Sequence, residues 1–594
     1  MNGLEQLVHS SYVPLLDVTM SLDDTRDFIQ TYVGNIEHYS LRGVLDQNTI
    51  NALKTNEWFT LTNRTMTRAG AATYFRSLVD PLTSVGLIVE KQNSLIELGN
   101  NQKLLTSIID SLRKFSSLES DLYGFFQSKL STLSFDYGQL DNAMLAVKSI
   151  GDAARTIPPP KSPYLTVLVN DLKNFRTSRL FDLIKGPMYL TFSGLKTSDE
   201  VSTYTPRIKF KEKRITPITS LPAVIGLAYY ASKSSATSNY PTVGLVLGGL
   251  MTVGMCTLVK PFTDSKVALN IRSKLLMYDK FKTAFDSFGK LDELVSFLKY
   301  ASQIQTLSEN YAITLPTFLD GTNEHTSFKS ISNPIILAKT GSCVTNDLVL
   351  DNNLVYITGP NNKGKTTFVE TLIYNSILAQ TGAFILGEGR LNILTKINYT
   401  IPVHSDSKAG RLKTELIKGQ EIYELANSKS LDIFDEPMGG TTTDTEKDVL
   451  FYKNLLRLYN KGCITMVTSH NPKVAQWLEE DSVGKFFEIK HNRPYVLIPG
   501  ISTTSNAFEI AREVGYISEQ EEMILSQKKY EYEHQLWIFP GLKPKELDAR
   551  ILINSIKNLE ETVKPYISNN QLGFQFNDRI YAENDKGVKI EILC

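Results

Sequence analysis

Apolar positions recur three and four residues apart through much of the first half of the chain, the period of a helix that buries one face. LDQNTINAL from Leu45, then NRTMTRAGAATYFRSLVDPLTSVGLIVEKQNSLIEL through Leu98, predict a helix, a turn and two further helices, with Pro81 breaking the last two apart. The period continues through 100–157 (Leu104, Leu105, Ile108, Ile109, Leu112), and PPPKSP at 158–163 predicts a stiff connector. Residues 1–45 show no clear period and predict only short helices. Residues 264–312 return to a long amphipathic helix striped by Leu275, Leu276, Leu291, Leu294 and Leu298. From about 325 to 500 short strand-like runs alternate with helical segments, the signature of a mainly parallel sheet. The tail turns charged and aromatic (KKYEYEHQLW from Lys528). It closes on a predicted hairpin in which GFQF and VKIEIL flank the turn-prone Asn584-Asp585-Lys586-Gly587.

One stretch fits neither pattern. A basic cluster (Arg207, Lys209, Lys211, Lys213, Arg214) precedes Ile215–Ser232, which carries no charge. After Lys233 comes a small polar turn, SSATSN, and then Tyr240–Val259, again uncharged and closed by Lys260. Two readings of 215–259 stand. Near-spanning length, lysine flanks and the Gly244/Gly248 spacing fit two transmembrane helices that pack closely. Pro217, Pro222 and the many Gly and Thr fit a buried hydrophobic hairpin instead. Insertion would place the positive flanks, and all that follows them, on the cytoplasmic side of a membrane.

Composition narrows the classes. At 594 residues the chain is long enough for about three or four domains, and its 42% hydrophobic and 21% charged residues are those of a globular protein rather than a disordered one. Acidic and basic residues balance at 63 each, so a nucleic-acid partner would have to be held by local patches. Cys256, Cys343, Cys463 and Cys594 are scattered and form no metal-type pair, which suits a reducing compartment. The N-terminus lacks a basic segment followed by an apolar core, so no secretory signal is expected.

The chemistry centres on Gly359–Thr367, GPNNKGKTT, which follows the apolar run Leu354–Ile357 and precedes the apolar helical pattern Phe368–Leu378. Gly359, Gly364, Lys365 and Thr366 satisfy the phosphate-loop spacing: glycines let backbone N–H groups converge on phosphate oxygens, the lysine adds charge, and the hydroxyl can hold Mg²⁺. Such a loop needs an acidic strand end, and LDIFDE at Leu431–Glu436 offers it, with Asp435 expected to hold Mg²⁺ and Glu436 to activate water. Asp432 is the odd charge in that strand. Gly439, Gly440 and Thr441–Thr443 make a hydroxyl-rich loop after it. A further β-rich run, Cys463–Thr468, ends in Ser469-His470, which places His470 to report on a γ-phosphate. His404, Ser405 and Ser407 sit in a polar loop ahead of the helix carrying Glu415.

Taken together, TGPNNKGKTT, DEPMGGTTTD and VTSHN resemble the ATPase domain of the MutS family, the DNA mismatch repair proteins related to ATP-binding-cassette ATPases. Val344–Asp347 and Asn333-Pro334 resemble segments that lead into that domain, Gly500–Gly515 its dimer-stabilising helical region, and Thr65–Gly70 part of the helical core. The resemblance covers roughly residues 40–525 and implies an all-α core and lever followed by an α/β P-loop ATPase of the cassette type. The implied domains are an N-terminal helical segment at 1–44, the core and lever at 45–320, the ATPase with its dimerisation region at 321–525, and a C-terminal extension at 526–594. It implies that Gly359, Pro360, Asn361, Asn362, Lys363, Gly364, Lys365, Thr366 and Thr367 bind ATP. It further implies that Thr366 and Asp435 hold Mg²⁺, and that Glu436 and His470 are catalytic. A homodimer, or a heterodimer with a related subunit, would complete each site, and DNA is the expected partner. The departures are as informative. The residues before 45 are too few to match the family's mismatch-reading domain and none are expected to form its connector domain, SKAGRLKTEL stands where the family has its signature run, and Met438-Gly439-Gly440 lacks its arginine. The uncharged hairpin falls where family members insert their DNA-gripping clamp. A MutS-like ATPase working on branched or recombining DNA is therefore one expectation, with the ATPase in the cytoplasm. A membrane-tethered ATP switch acting on a membrane or protein partner is the other.

Overall fold

Among the described residues up to Leu307 helices dominate, as the three- and four-residue period predicts: Gln47–Ala52, Thr55–Thr62, Arg68–Val79, Val85–Asn100, Gln102–Ser116, Glu119–Gln127, Tyr137–Thr156, Pro163–Arg176, Arg179–Lys185 and Asp279–Leu307, beside a small antiparallel sheet of Met188–Thr191, Gly194–Lys196 and Arg207–Ile208. The structure, a computed structural model, describes residues 43–127, 137–191, 194–201, 207–208, 265–307, 311–319, 324–360, 362–401, 411–437, 444–470, 472–490, 493–502 and the backbone of four strands between 564 and 592. The expected hairpin at 215–259, the segment before residue 43, Asn361, the loop with His404, Ser405 and Ser407, the run 438–443 and the expected dimerisation region beyond Ser502 lie outside the described residues. Among the described residues no helix is long and apolar enough to cross a membrane.

Two carboxylates hold the helical part together at the start of Arg68–Val79. Asp292, fully buried on the long helix Asp279–Leu307, accepts from the Thr67 amide and hydroxyl, each at 2.7 Å, and from the Met66 amide. Glu119 accepts from the Arg68 and Ala69 amides at 2.8 and 3.0 Å, so the donors left open at a helix N-terminus are matched by acids. Gly70 is required here, because a Cβ would fall 2.2 Å from Asp292 Oδ2. The predicted single helix at 264–312 is in fact two, 265–277 and Asp279–Leu307. Beside its leucines, the second buries Phe281, Phe285 and Phe288, which pack edge-on or tilted against Phe115 and Phe175.

Past residue 325 the period of two takes over. The main sheet runs, edge to edge, Lys396–Thr400, Ser430–Asp435, Ile464–Ser469, Leu354–Thr358, Lys485–Ile489 and Leu497–Pro499. The first five strands are parallel and the last is antiparallel. Leu354–Thr358 lies between two strands from later in the chain, so its C-terminal end opens at a reversal of strand order, where open α/β sheets leave a crevice for ligands. The helix that follows, Lys365–Gln380, has no polar stripe and is buried along nearly its whole length, with its buried Asn375, Ser376 and Gln380 hydrogen-bonded to backbone. Tyr374 anchors it to the helical part: its ring lies 4.7 Å from that of Trp58, and its hydroxyl donates to Leu53 O at 2.8 Å.

Residues 504–594 form a second compact unit, separate from 1–503. Its hairpins differ from the prediction. Ile580–Glu583, not GFQF, pairs antiparallel with Lys589–Ile592, while Gln571–Gln575 pairs with Lys564–Ser568. The strand adjoining a short turn closes the hairpin, and IYAE stands closer to it than GFQF does.

Candidate nucleotide site

The glycine-rich turn departs from the C-terminal end of Leu354–Thr358. Gly359 takes φ +148° and Gly364 φ +105°, both outside the range of ordinary side chains, and a Cβ on Gly359 would stand 2.7 Å from Ile489 O. Asn362 is exposed and also left-handed, at φ 59°. Lys365, 4% exposed, turns back over the loop and donates to Gly359 O at 2.9 Å and to Pro360 O at 3.0 Å. Its ammonium lies 3.6 Å from Glu436 Oε1. Burial lowers the Lys365 pKa, and Glu436 opposes that shift.

Asp435 and Glu436 end the acidic strand Ser430–Asp435 at the same end of the sheet, one strand over from Leu354–Thr358 with Ile464–Ser469 between them. Thr366 donates to Asp435 Oδ1 and Oδ2 at 3.1 and 2.8 Å, and the Thr468 hydroxyl donates to Oδ1. Burial raises the Asp435 pKa, while the hydrogen bonds from Thr468 and Thr366 pull it down. Glu436 sits at φ 47°, a strained position for a residue with a Cβ, and its amide donates to Thr468 O at 2.9 Å. The nearby His470 side chain, and then the Lys365 charge, hold its carboxyl below the usual range. His470 is exposed and its Nδ1 lies 3.9 Å from Glu436 Oε1. Gly359, Pro360, Lys365, Thr366, Asp435, Glu436 and His470 thus come together at the ends of three parallel strands. Asp432 is no surface blemish: it is fully buried and accepts from Asn398 Nδ2 at 2.6 Å and Ser430 Oγ at 2.7 Å.

Around these stand Tyr495, which had no signal in the sequence, and Asn346 and Asn333, which lie in segments the resemblance marked but without a stated role. Tyr495, at φ 67°, lays its ring against Gly364 and donates its amide to Lys363 O at 2.8 Å. Asn346 pins that turn, donating to Tyr495 O and accepting from the Leu497 amide, each at 2.8 Å. Beside it opens a cavity of about 600 Å³ lined by Ile336, Val344, Thr367, Phe368, Thr371 and Tyr495, apolar enough on one side for a flat ring. Asn333 begins the helix Pro334–Thr340, capping it through the Ile335 and Ile336 amides, and its Nδ2 donates to Thr371 Oγ1 at 3.1 Å.

A carboxylate and a hydroxyl within 3.1 Å of each other are hard oxygen ligands of the kind Mg²⁺ takes, one or two from protein and the rest from phosphate and water. Among the described residues no cluster of three or more His, Cys, Asp or Glu side chains forms a metal cage. The donor set therefore fits Mg²⁺ carried in with a nucleotide.

No family model matches the chain. Curated proteins do. A DNA mismatch repair protein MutS of Fusobacterium nucleatum is 27% identical over 199 residues, 31% of this chain and 22% of the relative. Endonuclease MutS2 of Agathobacter rectalis is 26% identical over 281 residues, 46% of this chain and 33% of the relative. Endonuclease MutS2 of Streptococcus gordonii is 30% identical over 236 residues, 37% of this chain and 30% of the relative. The chain spans between about a fifth and a third of the length of these relatives. Over the part they share, the chain is related to the MutS family.

Proposed function

We propose that the chain is a MutS-related ATPase that binds ATP with Mg²⁺ at Gly359–Thr367 and couples its occupancy to movement of the helical part, with DNA as the partner. The observation that carries the reading is the convergence of Lys365, Thr366, Asp435 and Glu436 within hydrogen-bonding or ion-pairing distance at one sheet end. In this reading the backbone amides of the turn and Lys365 hold the phosphates, with Asn361, Asn362, Lys363 and Thr367 completing the loop. The cavity beside Tyr495 takes the base. Thr366 and Asp435 hold Mg²⁺, which when bound offsets charge on the phosphate oxygens. Glu436, kept ionised by Lys365 and His470, accepts a proton from the attacking water, and His470 lies where it can contact the γ-phosphate. The core and lever correspond to 45–320 and the ATPase with its dimerisation region to 321–525. A second copy or a related subunit completes each site. The relatives' names, mismatch repair protein and endonuclease, support DNA as what the levers act on.

The test is ATP turnover by the purified chain with and without duplex and branched DNA over a salt series. DNA-stimulated hydrolysis that weakens steeply with salt is expected. Turnover indifferent to every DNA would overturn the DNA partner, and a chain that binds no ATP would overturn the whole reading.

A further inference from the structure

A carboxylate turns easily about its last bond, so one donor does not fix its plane. Asp435 has donors on both oxygens. Oδ1 accepts from Thr366 and from Thr468, whereas Oδ2 accepts from Thr366 at 2.8 Å and from Tyr399 Oη at 3.4 Å. Thr366 is exposed at the head of its helix and is the donor able to turn toward a cation. Thr468 and Tyr399 are 0% and 2% exposed and have nowhere else to go. With Thr366 engaged elsewhere, Thr468 keeps Oδ1 and Tyr399 keeps Oδ2.

Tyr399 is itself held from outside the sheet. It lies on the edge strand Lys396–Thr400, and its amide donates to Thr49 Oγ1 at 2.9 Å. The same Thr49 hydroxyl donates to Ile397 O at 3.3 Å, and Thr49 is fully buried in the short helix Gln47–Ala52. The segment ahead of that helix bridges the same edge in parallel, Leu45 beside Ile397, with the Ile397 amide donating to Val44 O at 2.8 Å. A threonine from the helical part thus seats a tyrosine whose hydroxyl reaches the acid of the nucleotide site.

We propose that Tyr399 is a positioning residue for the Asp435 carboxylate, seated by Thr49, and that the two set how readily the site takes up Mg²⁺ with a nucleotide. This rests on the reading of Asp435 as the Mg²⁺ partner and adds residues that neither the phosphate-loop spacing nor the acidic strand contains. A phenylalanine at 399 keeps the packed ring and removes only the donor to Oδ2. A valine at 49 keeps the shape and removes both of its hydrogen bonds.

The experiment titrates Mg²⁺ against binding of a fluorescent ATP analogue by the full chain, starting from EDTA, with ATP turnover and thermal melting measured alongside. Tyr399→Phe is expected to bind the analogue in EDTA as the parent does and to need roughly ten-fold more Mg²⁺ for the half-maximal effect, the scale of one hydrogen bond to a charged group. Its turnover at saturating Mg²⁺ should stay close to the parent's. Thr49→Val should move the Mg²⁺ requirement the same way by less. An unchanged Mg²⁺ requirement in Tyr399→Phe overturns the proposal. Should that variant fail to fold, an unchanged requirement in Thr49→Val does so instead. A parent chain that binds no analogue overturns the nucleotide reading and this proposal together. A parent that binds it but ignores Mg²⁺ overturns the metal role of Asp435 alone, and Tyr399's with it.

Discussion

Lys365 and Glu436 face each other at 3.6 Å, and the proposed function gives each a different job. Lys365 is buried and already bonded to loop carbonyls, so its charge is held in place before any phosphate arrives. Lys365→Ala should therefore abolish nucleotide binding, measured directly with a labelled ATP. Glu436→Gln keeps the shape and removes the proton acceptor. It should bind ATP as the parent does and lose turnover by about two orders of magnitude or more, the usual worth of a placed general base. Normal turnover in that variant would remove Glu436 from the chemistry. That these two residues would stand together with Thr366, Asp435 and His470 was legible in the sequence, because their types and spacing follow from what a phosphate needs. The contacts of Tyr399, Thr468, Asn346 and Tyr495 were not, because each reaches a residue far away in the chain, even though Thr468 and Asn346 lie in stretches the sequence singles out. Asp432 misled for the same reason: its partner Asn398 lies on the adjacent strand, 34 positions earlier.

Among elements, the long periodic helices were foreseen well and the breaks between them poorly. Nothing in the leucine stripe marks the interruption at Tyr278, and the tail hairpin took a nearer strand than expected. The least legible feature was the acidic cap on Arg68–Val79, since Glu119 and Asp292 read locally as surface charges on amphipathic helices. Their burial has a measurable consequence. Burial raises the Glu119 carboxyl from an ordinary 4.5 to about 7, against hydrogen bonds from the Tyr123 hydroxyl and the Arg68 and Ala69 amides. The folded chain thus holds this proton more tightly than the unfolded chain between those values. Its contribution to stability is fully present below the ordinary value and is lost as pH rises through about 7. The free energy of unfolding should fall over that window by up to about 1.4 kcal/mol per pH unit for this group, and Glu119→Gln should flatten the upper part of the slope. Asp292, raised to about 6 by the same cause, would leave a residual slope at lower pH. A pH-independent midpoint in the parent would show that neither acid is desolvated in the folded state.

Across the whole first unit, the proposed function asks what would make the helical part answer to the candidate nucleotide site. The helix Lys365–Gln380 begins at the phosphate-loop turn and ends against the helical part. Gln380 Nε2 donates to Leu82 O and to Leu394 O, and the Leu82 amide donates to Gln380 O. Just beyond, Gly382 leaves room for the stem of Lys91, whose nearest carbon would stand 3.1 Å from a Cβ there. The Lys91 ammonium reaches Glu293 on the long helix at 2.7 Å, with both side chains at most 3% exposed. One ion pair thus joins Val85–Asn100 to Asp279–Leu307 directly under the exit of the nucleotide-site helix. A pair this deep recovers little net energy over an apolar replacement, because both charges lose their water, but removing one partner strands the other. Lys91→Met should therefore cost about 3–5 kcal/mol in denaturant unfolding, whereas Lys91→Met with Glu293→Leu should lie close to the parent. The double variant then separates folding from coupling. If the pair transmits, it should still bind ATP but no longer show ATP-dependent change in hydrogen exchange along 279–307, and a parent-like exchange response would mean the signal travels through Trp58 and Tyr374 instead.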